Sequence, residues 1–135
     1  MSVRNRVASL ALLAAVALPL VVGCQFLVFK VCVKNDTEFY LDEFTSKSAG
    51  ALTYPAGSIK DLAPGGSDVE GGYSAGAYDF RANFDVSDED ICEDVVELLG
   101  VEIENTNLCI TYEVQDINTK GDCSEEIFAT LDYVI

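Results

Sequence analysis

The sequence predicts a mainly-β fold, an antiparallel β-sandwich of the immunoglobulin-like kind, with one short helix near residues 88–99. Three observations predict it. Apolar and polar side chains alternate in runs of strand length. Gly, Pro and Asn punctuate the chain between those runs. Thirteen Phe and Tyr, with many Val, Ile and Leu, supply a core in a chain whose acidity alone would suit disorder. Short strands joined by such turns pack as two sheets.

From Leu27 to Lys34, Leu27, Phe29, Val31 and Val33 fall on one face and Lys30, Cys32 and Lys34 on the other, the pattern of a half-buried strand. Asn35-Asp36 makes a turn, and Phe39 to Phe44 returns as a second strand. Residues 45–76 hold seven of the ten glycines and two of the three prolines, which suits turns and short strands and excludes a long helix. Ala77 to Asp85 alternates most cleanly, with Tyr78, Phe80, Ala82 and Phe84 set against Asp79, Arg81, Asn83 and Asp85. Ser87 then precedes Asp88, Glu89 and Asp90, and Ile91, Val95, Leu98 and Leu99 recur at helical spacing before Gly100. A cap, acids in the first turn and a terminal Gly predict the helix, while the alternative for Val95 to Ile103 is an extended strand. Leu108 to Val114 alternates again, Asn118 to Gly121 signals a turn, and Ile127 to Val134 closes the fold.

The amino terminus has a different character. MSVRNRV carries Arg4 and Arg6 and no acid, and the stretch from Val7 to Val22 is uncharged, the layout of a signal peptide. It runs into Val21-Val22-Gly23-Cys24. These four residues resemble the lipobox of bacterial membrane lipoproteins, with Val21 where the family usually has Leu. The resemblance implies cleavage before Cys24, diacylation of its thiol and acylation of its new amino group. It divides the chain into a signal peptide, 1–23, and one disulfide-stapled domain, 24–135. Gln25 after the cysteine implies the outer membrane or cell surface under the sorting pattern of enteric bacteria. The alternative is an uncleaved anchor, since Val7 to Phe29 reaches the roughly 20 residues a spanning helix needs; Pro19 and the Gly23-Cys24-Gln25 junction favour cleavage. Both readings export the remainder.

Arg4 and Arg6 are two of the eight basic residues, so the chain from Cys24 onward keeps six against 23 acidic ones, a formal charge of −17. That balance repels nucleic acid and would lift a tethered domain from an anionic surface. With Cys24 assigned to lipid, Cys32, Cys92, Cys109 and Cys123 remain, an even set in an exported chain. They read as two disulfides with three possible pairings. Cys32 and Cys109 share the polar side of their strands, which permits a bridge and leaves Cys92 with Cys123. There is no Cys-x-x-Cys and no His, so zinc is disfavoured.

Other motifs fail on chemistry. Gly72-Tyr-Ser74-Ala-Gly76 matches a nucleophile elbow, but that device needs a helix after the Ser and a His to take its proton. Asp116-Ile-Asn118-Thr-Lys120-Gly121 begins like an EF-hand loop, yet Lys120 and Ile127 stand where oxygen ligands belong. Asn35-Asp36-Thr37 matches a glycosylation sequon without meaning on a bacterial route. No dinucleotide fingerprint or P-loop occurs, and no cofactor is expected.

The LAPGGS turn followed by GAYDFRA is similar to small immunoglobulin-like or transthyretin-like sandwich modules of the bacterial envelope. The expectation is therefore a non-enzymatic envelope lipoprotein, lipid-tethered at Cys24, that serves as a structural or protein-binding surface domain. Its partners would be the membrane, through the anchor, and an envelope protein. The alternative is a calcium-responsive module using the acidic segment 85–94, with Asp85, Asp88 and Asp90 as candidate ligands through their hard oxygens. A small hydrolase built on two carboxylates is a third reading, and it requires a cleft.

Overall fold

A computed structural model describes residues 28–117 and 123–134. The signal segment, Cys24 and the turn expected at 118–121 lie outside them. Eight strands follow in order: β1 (Phe29–Asn35), β2 (Tyr40–Ser48), β3 (Ile59–Leu62), β4 (Ser67–Tyr73), β5 (Gly76–Asp85), β6 (Val95–Ile103), β7 (Asn107–Asp116) and β8 (Glu125–Val134). They form two four-stranded sheets, β4-β1-β7-β8 and β3-β2-β5-β6. The first is called sheet A here and the second sheet B. At the flanks β3 lies by β4 and β6 by β8, so the molecule is a β-sandwich.

Alternation decides what fills it. Val31 and Val33 of β1, Leu108, Ile110 and Tyr112 of β7, and Leu41, Phe44, Phe80, Ala82 and Phe84 of sheet B are buried in one shared core. Each large apolar side chain so buried contributes about 1.5–3 kcal/mol. The residues between them face outward, including Cys32 and Cys109, which stand directly opposite each other across the β1–β7 pairing. Their Cα atoms are 4.3 Å apart, and they form one disulfide; Cys92 and Cys123 form the other. Both bridges are the pairs that the outward parity of Cys32 and Cys109 pointed to.

Two expectations need correction. The β1–β7 pairing is parallel, because the chain crosses between the sheets repeatedly and β7 returns to sheet A beside β1 in the same direction. The rest of the pairing is antiparallel. The short helix expected near residues 88–99 is absent: residues 86–94 form turns and one isolated bridge, Ile91 to Glu125, and β6 begins at Val95. The extended alternative for Val95 to Ile103 holds. A bulge explains the misleading pattern, since Tyr78 pairs with Val101 and Phe80 with Leu98, leaving Leu99 and Gly100 opposite Asp79 alone. Inward residues therefore run Val96, Leu98, Val101, Ile103, which breaks the period of two. Gly100, with φ +66°, marks the bulge; a helix-terminating Gly adopts the same left-handed backbone.

The registers sort the loops into two groups. Phe29, Tyr73, Asn107 and Val134 share one end of sheet A, and Ser48, Tyr78 and Ile103 share the matching end of sheet B. The described chain enters at this near end. Residues 49–58, 74–75 and 104–106 connect strands there, whereas 36–39, 63–66 and 86–94 connect them at the far end, where β7 also ends and β8 begins.

Candidate functional site

Charge divides with the loops. From Ser48 to Ser58 no side chain is charged, nor at Ser74 and Ala75, and Glu104 is the one acid in the near-end connections. Among the described residues, the far-end connections contain Asp36 and Glu38, then Asp88, Glu89, Asp90, Glu93 and Asp94. Two open clefts lie among these far-end acids. One, about 620 Å³, is lined by Asp36, Thr37, Glu38, Glu113, Val114 and Glu125. The other, about 450 Å³, is lined by Asp88, Glu93 and Asp94 with Val86, Ile91, Cys92 and Val95.

Backbone hydrogen bonds hold this end together. The Cys92 N–H donates to the Glu125 carbonyl at 2.9 Å, and the Ser124 and Glu125 N–H groups both donate to the Asp90 carbonyl at 2.9 Å. The Cys92–Cys123 bridge fixes the same contact covalently. Asp116 and Glu125 are cross-strand partners, so two carboxylates are forced together. Burial first, then a hydrogen bond with Asp116 and the charges of Asp116, Asp88 and Asp90, push the Glu125 carboxyl above its ordinary range. Such a cleft attracts cations and basic side chains.

The calcium candidates are not drawn to one point. Asp85 ends β5 and lies near Asp42, whose carboxyl is raised by burial and then by the charges of Asp85 and Asp61. Asp88 Oδ1 instead accepts the Asp90 N–H at 2.9 Å, which closes a local turn. Among the described residues no three acidic or thiol side chains converge closely enough to hold a metal ion. Ser74 of the elbow-like motif is exposed in the turn between β4 and β5, with the Tyr78 hydroxyl donating to its carbonyl at 2.7 Å. A strand on each side of it leaves no elbow.

Asn35 was read as a turn residue, but it is fully buried at the far end. Its Nδ2 donates to the carbonyls of Phe39 at 2.8 Å and Leu62 at 3.0 Å, and its Oδ1 accepts from Thr37 Oγ1 at 2.6 Å and Thr37 N–H at 3.1 Å. One amide thus ties the end of β1 in sheet A to β3 of sheet B and to Phe39 just before β2, and it is not free for glycosylation. The Asn-x-Thr spacing was its only sequence signal.

A second polar cluster covers the outer face of sheet B. Asp79, 6% exposed, accepts the Gly100 N–H at 2.8 Å within the bulge and Lys47 Nζ at 2.9 Å. The Gly100 bond first, and Lys47 second, hold its carboxyl below the ordinary range. Residues 49–58 fold back over this face. Tyr54 lies against Arg81, at 4.4 Å from guanidinium to ring centre, and against Lys47, at 5.0 Å. Its hydroxyl donates to Glu97 at 3.2 Å; burial, then Glu97, pushes it up to about 12. Gly57 completes the strap, because its N–H donates to Glu43 Oε2 at 2.6 Å and a Cβ there would lie 2.3 Å from Glu43 Cγ. Lys47 pairs with Asp79, and Lys47 and Arg81 both lie against the Tyr54 ring, so the cluster serves as a clasp. Among the described residues lining the far-end clefts none is a cation, which makes those the open electrostatic feature. No protein-family model, curated protein or solved structure matches the chain.

Proposed function

We propose that the chain is an exported, non-catalytic lipoprotein, anchored through a lipid on Cys24, that presents its far end to a basic surface of another envelope protein. The observation carrying this reading is the partition of five cysteines. Four are consumed in two disulfides within the sandwich, and the fifth, Cys24, stands behind an apolar stretch at the −3 to +1 pattern of a lipobox. Disulfides persist in oxidising compartments outside the cytosol, which supports export. Two or three acyl chains on one cysteine would give stable anchoring, at about 0.8 kcal/mol per buried methylene.

The far end is the surface that such an anchor leaves free. Complementary charge raises association rates and selects partners more than it adds affinity, so binding through these clefts should weaken as salt rises. The test is labelled palmitate supplied to cells expressing wild type or Cys24→Ala. Label in the wild type alone, with precursor accumulating in the variant, is expected. Equal labelling of both would overturn the anchor. Partner recovery with detergent-solubilised protein should fall from 50 mM to 500 mM salt; recovery insensitive to salt would overturn the basic partner.

A further inference from the structure

Resting on that anchor reading, the structure assigns the near end of the sandwich a second role: we propose that it lies directly on the lipid surface. Among the described residues, four of the eight exposed large apolar side chains gather there, and the others, Tyr40, Val69, Val95 and Leu99, are scattered along the strands. Leu52 is 97% exposed, Val28 61%, Tyr133 48% and Val134 46%. Val28 precedes β1, Leu52 lies in the connection after β2, and Tyr133 and Val134 end β8, so chain segments distant in sequence bring them to one end. Leu52 is the most exposed of all, at the tip of an eleven-residue stretch, Ser48 to Ser58, without a charge.

Three further observations make lipid the occupant. The chain reaches the described fold at this end, at Val28, four residues after Cys24. Four residues extend at most about 14 Å, at 3.3–3.6 Å each, so an acylated Cys24 would keep the near end close to the headgroups. The connections of this end also carry less acid than those of the other. The near end carries exposed Lys30 beside exposed Glu102, Glu104 and Asp132, while the dense acids of 36–39 and 86–94 lie at the opposite end. A uniformly acidic domain would be lifted from the membrane; this one is segregated and would be oriented by it. Finally, the strap carrying Leu52 is held by the Tyr54 clasp, so the leucine is presented on a fixed support. Tyr133 suits the polar–apolar boundary, where tyrosine is enriched.

The chain contains no tryptophan, so a single indole reports its own position. Leu52→Trp at the near end and Glu89→Trp at the far end would be purified as full-length lipoproteins and reconstituted into vesicles of phosphatidylcholine and phosphatidylglycerol. With Leu52→Trp, quenching by acrylamide should fall at least about threefold on vesicles, and brominated acyl chains should quench the indole. With Glu89→Trp, acrylamide should quench freely and brominated lipid should not. An indole at position 52 that remains open to acrylamide on vesicles would overturn the contact while leaving the anchor intact. Shielding from acrylamide without quenching by brominated lipid would also overturn it, because protein would then cover Leu52. Failure of the wild-type chain to float with vesicles would overturn the anchor and this inference together.

Discussion

The two ends of the sandwich are closed by opposite chemistry. At the near end Tyr73, Tyr78, Phe80 and Phe44 form a chain of rings, with centroids 5.1 Å apart for Tyr73–Tyr78 and 5.6 Å for Phe44–Phe80. The hydroxyls there are partnered: Tyr73 with Ser46 at 2.8 Å and with Glu70, and Tyr78 with the Ser74 carbonyl. At the far end the aromatic Tyr112 packs edge-on against Phe84, but its buried hydroxyl has no partner. An amide hub and a disulfide close that end instead. The difference teaches where each end draws its stability. Aromatic packing with satisfied polar tips holds the near end, whereas the far end, loaded with like charges, is held by bonds that repulsion cannot easily separate.

The largest expected effect follows from the covalent bond. Replacing Cys92 and Cys123 together by Ser opens a loop whose ends are 31 residues apart, and the chain-entropy relation gives a loss of about 3.7 kcal/mol. Hydrogen exchange should then accelerate at Cys92, Ser124 and Glu125 before it does in β5. Equal acceleration at Tyr78 and Phe80 would show that the ends are not separate in stability. Next in size is Asn35→Ala, which strips partners from the Phe39 and Leu62 carbonyls and from Thr37. Several buried groups left unsatisfied cost about 3 kcal/mol in sum, read as a lower urea midpoint at unchanged slope.

One pair of matched substitutions tests the contrast itself. Tyr73→Phe abandons Ser46 and Glu70 and should destabilise by about 1 kcal/mol, while Tyr112→Phe removes a hydroxyl that gains nothing from burial and should stabilise by about 1 kcal/mol. Urea denaturation of the two variants decides it. Destabilisation by Tyr112→Phe comparable to that by Tyr73→Phe would mean that the far-end hydroxyl is satisfied after all.

Much of the fold was legible because period-two alternation survives wherever a strand is regular, as in β1, β5 and β7. The disulfide pairing was legible for the same reason, since outward parity put Cys32 and Cys109 on one face. β6 was misread because the Leu99-Gly100 bulge breaks the period and its left-handed Gly imitates a helix end. The expected cap does not form a helix: Asp88, not Ser87, accepts the Asp90 N–H and closes a local turn, and the chain then pairs with β5 because that buries Leu98, Val101 and Ile103. The hub role of Asn35 was hidden because its partners at Phe39, Leu62 and Ala63 become neighbours only after the sheets stack. The segregation of charge was hidden likewise. Composition counts acids, but strand order decides which end of the molecule each connection occupies.

The smallest effect concerns acid, and there the two regions should respond with opposite sign. Asp79, held below the ordinary range by the Gly100 N–H and then by Lys47, contributes stability that is present above the unfolded value near 3.8 and lost as pH falls through its lower folded value. Glu125, raised by burial and then by Asp116, does the reverse: its contribution is present below the unfolded value near 4.5 and lost as pH rises through the folded one. Asp42, raised by burial and then by Asp85 and Asp61, adds to the same side. Wild-type protein titrated downward from pH 7 should therefore first gain stability, as far-end repulsion is relieved, and lose it below about pH 3.8 as Asp79 protonates. Glu125→Gln should be the more stable chain at pH 7 and should show a smaller gain on acidification. Asp79→Asn should be less stable at pH 7 and should flatten the acid limb without touching the gain above it. Urea midpoints for the three chains at half-unit steps from pH 3 to 7 would separate the regions. A gain that persists in full with Glu125→Gln would remove the Asp116–Glu125 pair as its source and leave Asp42 beside Asp85 and Asp61 to account for it.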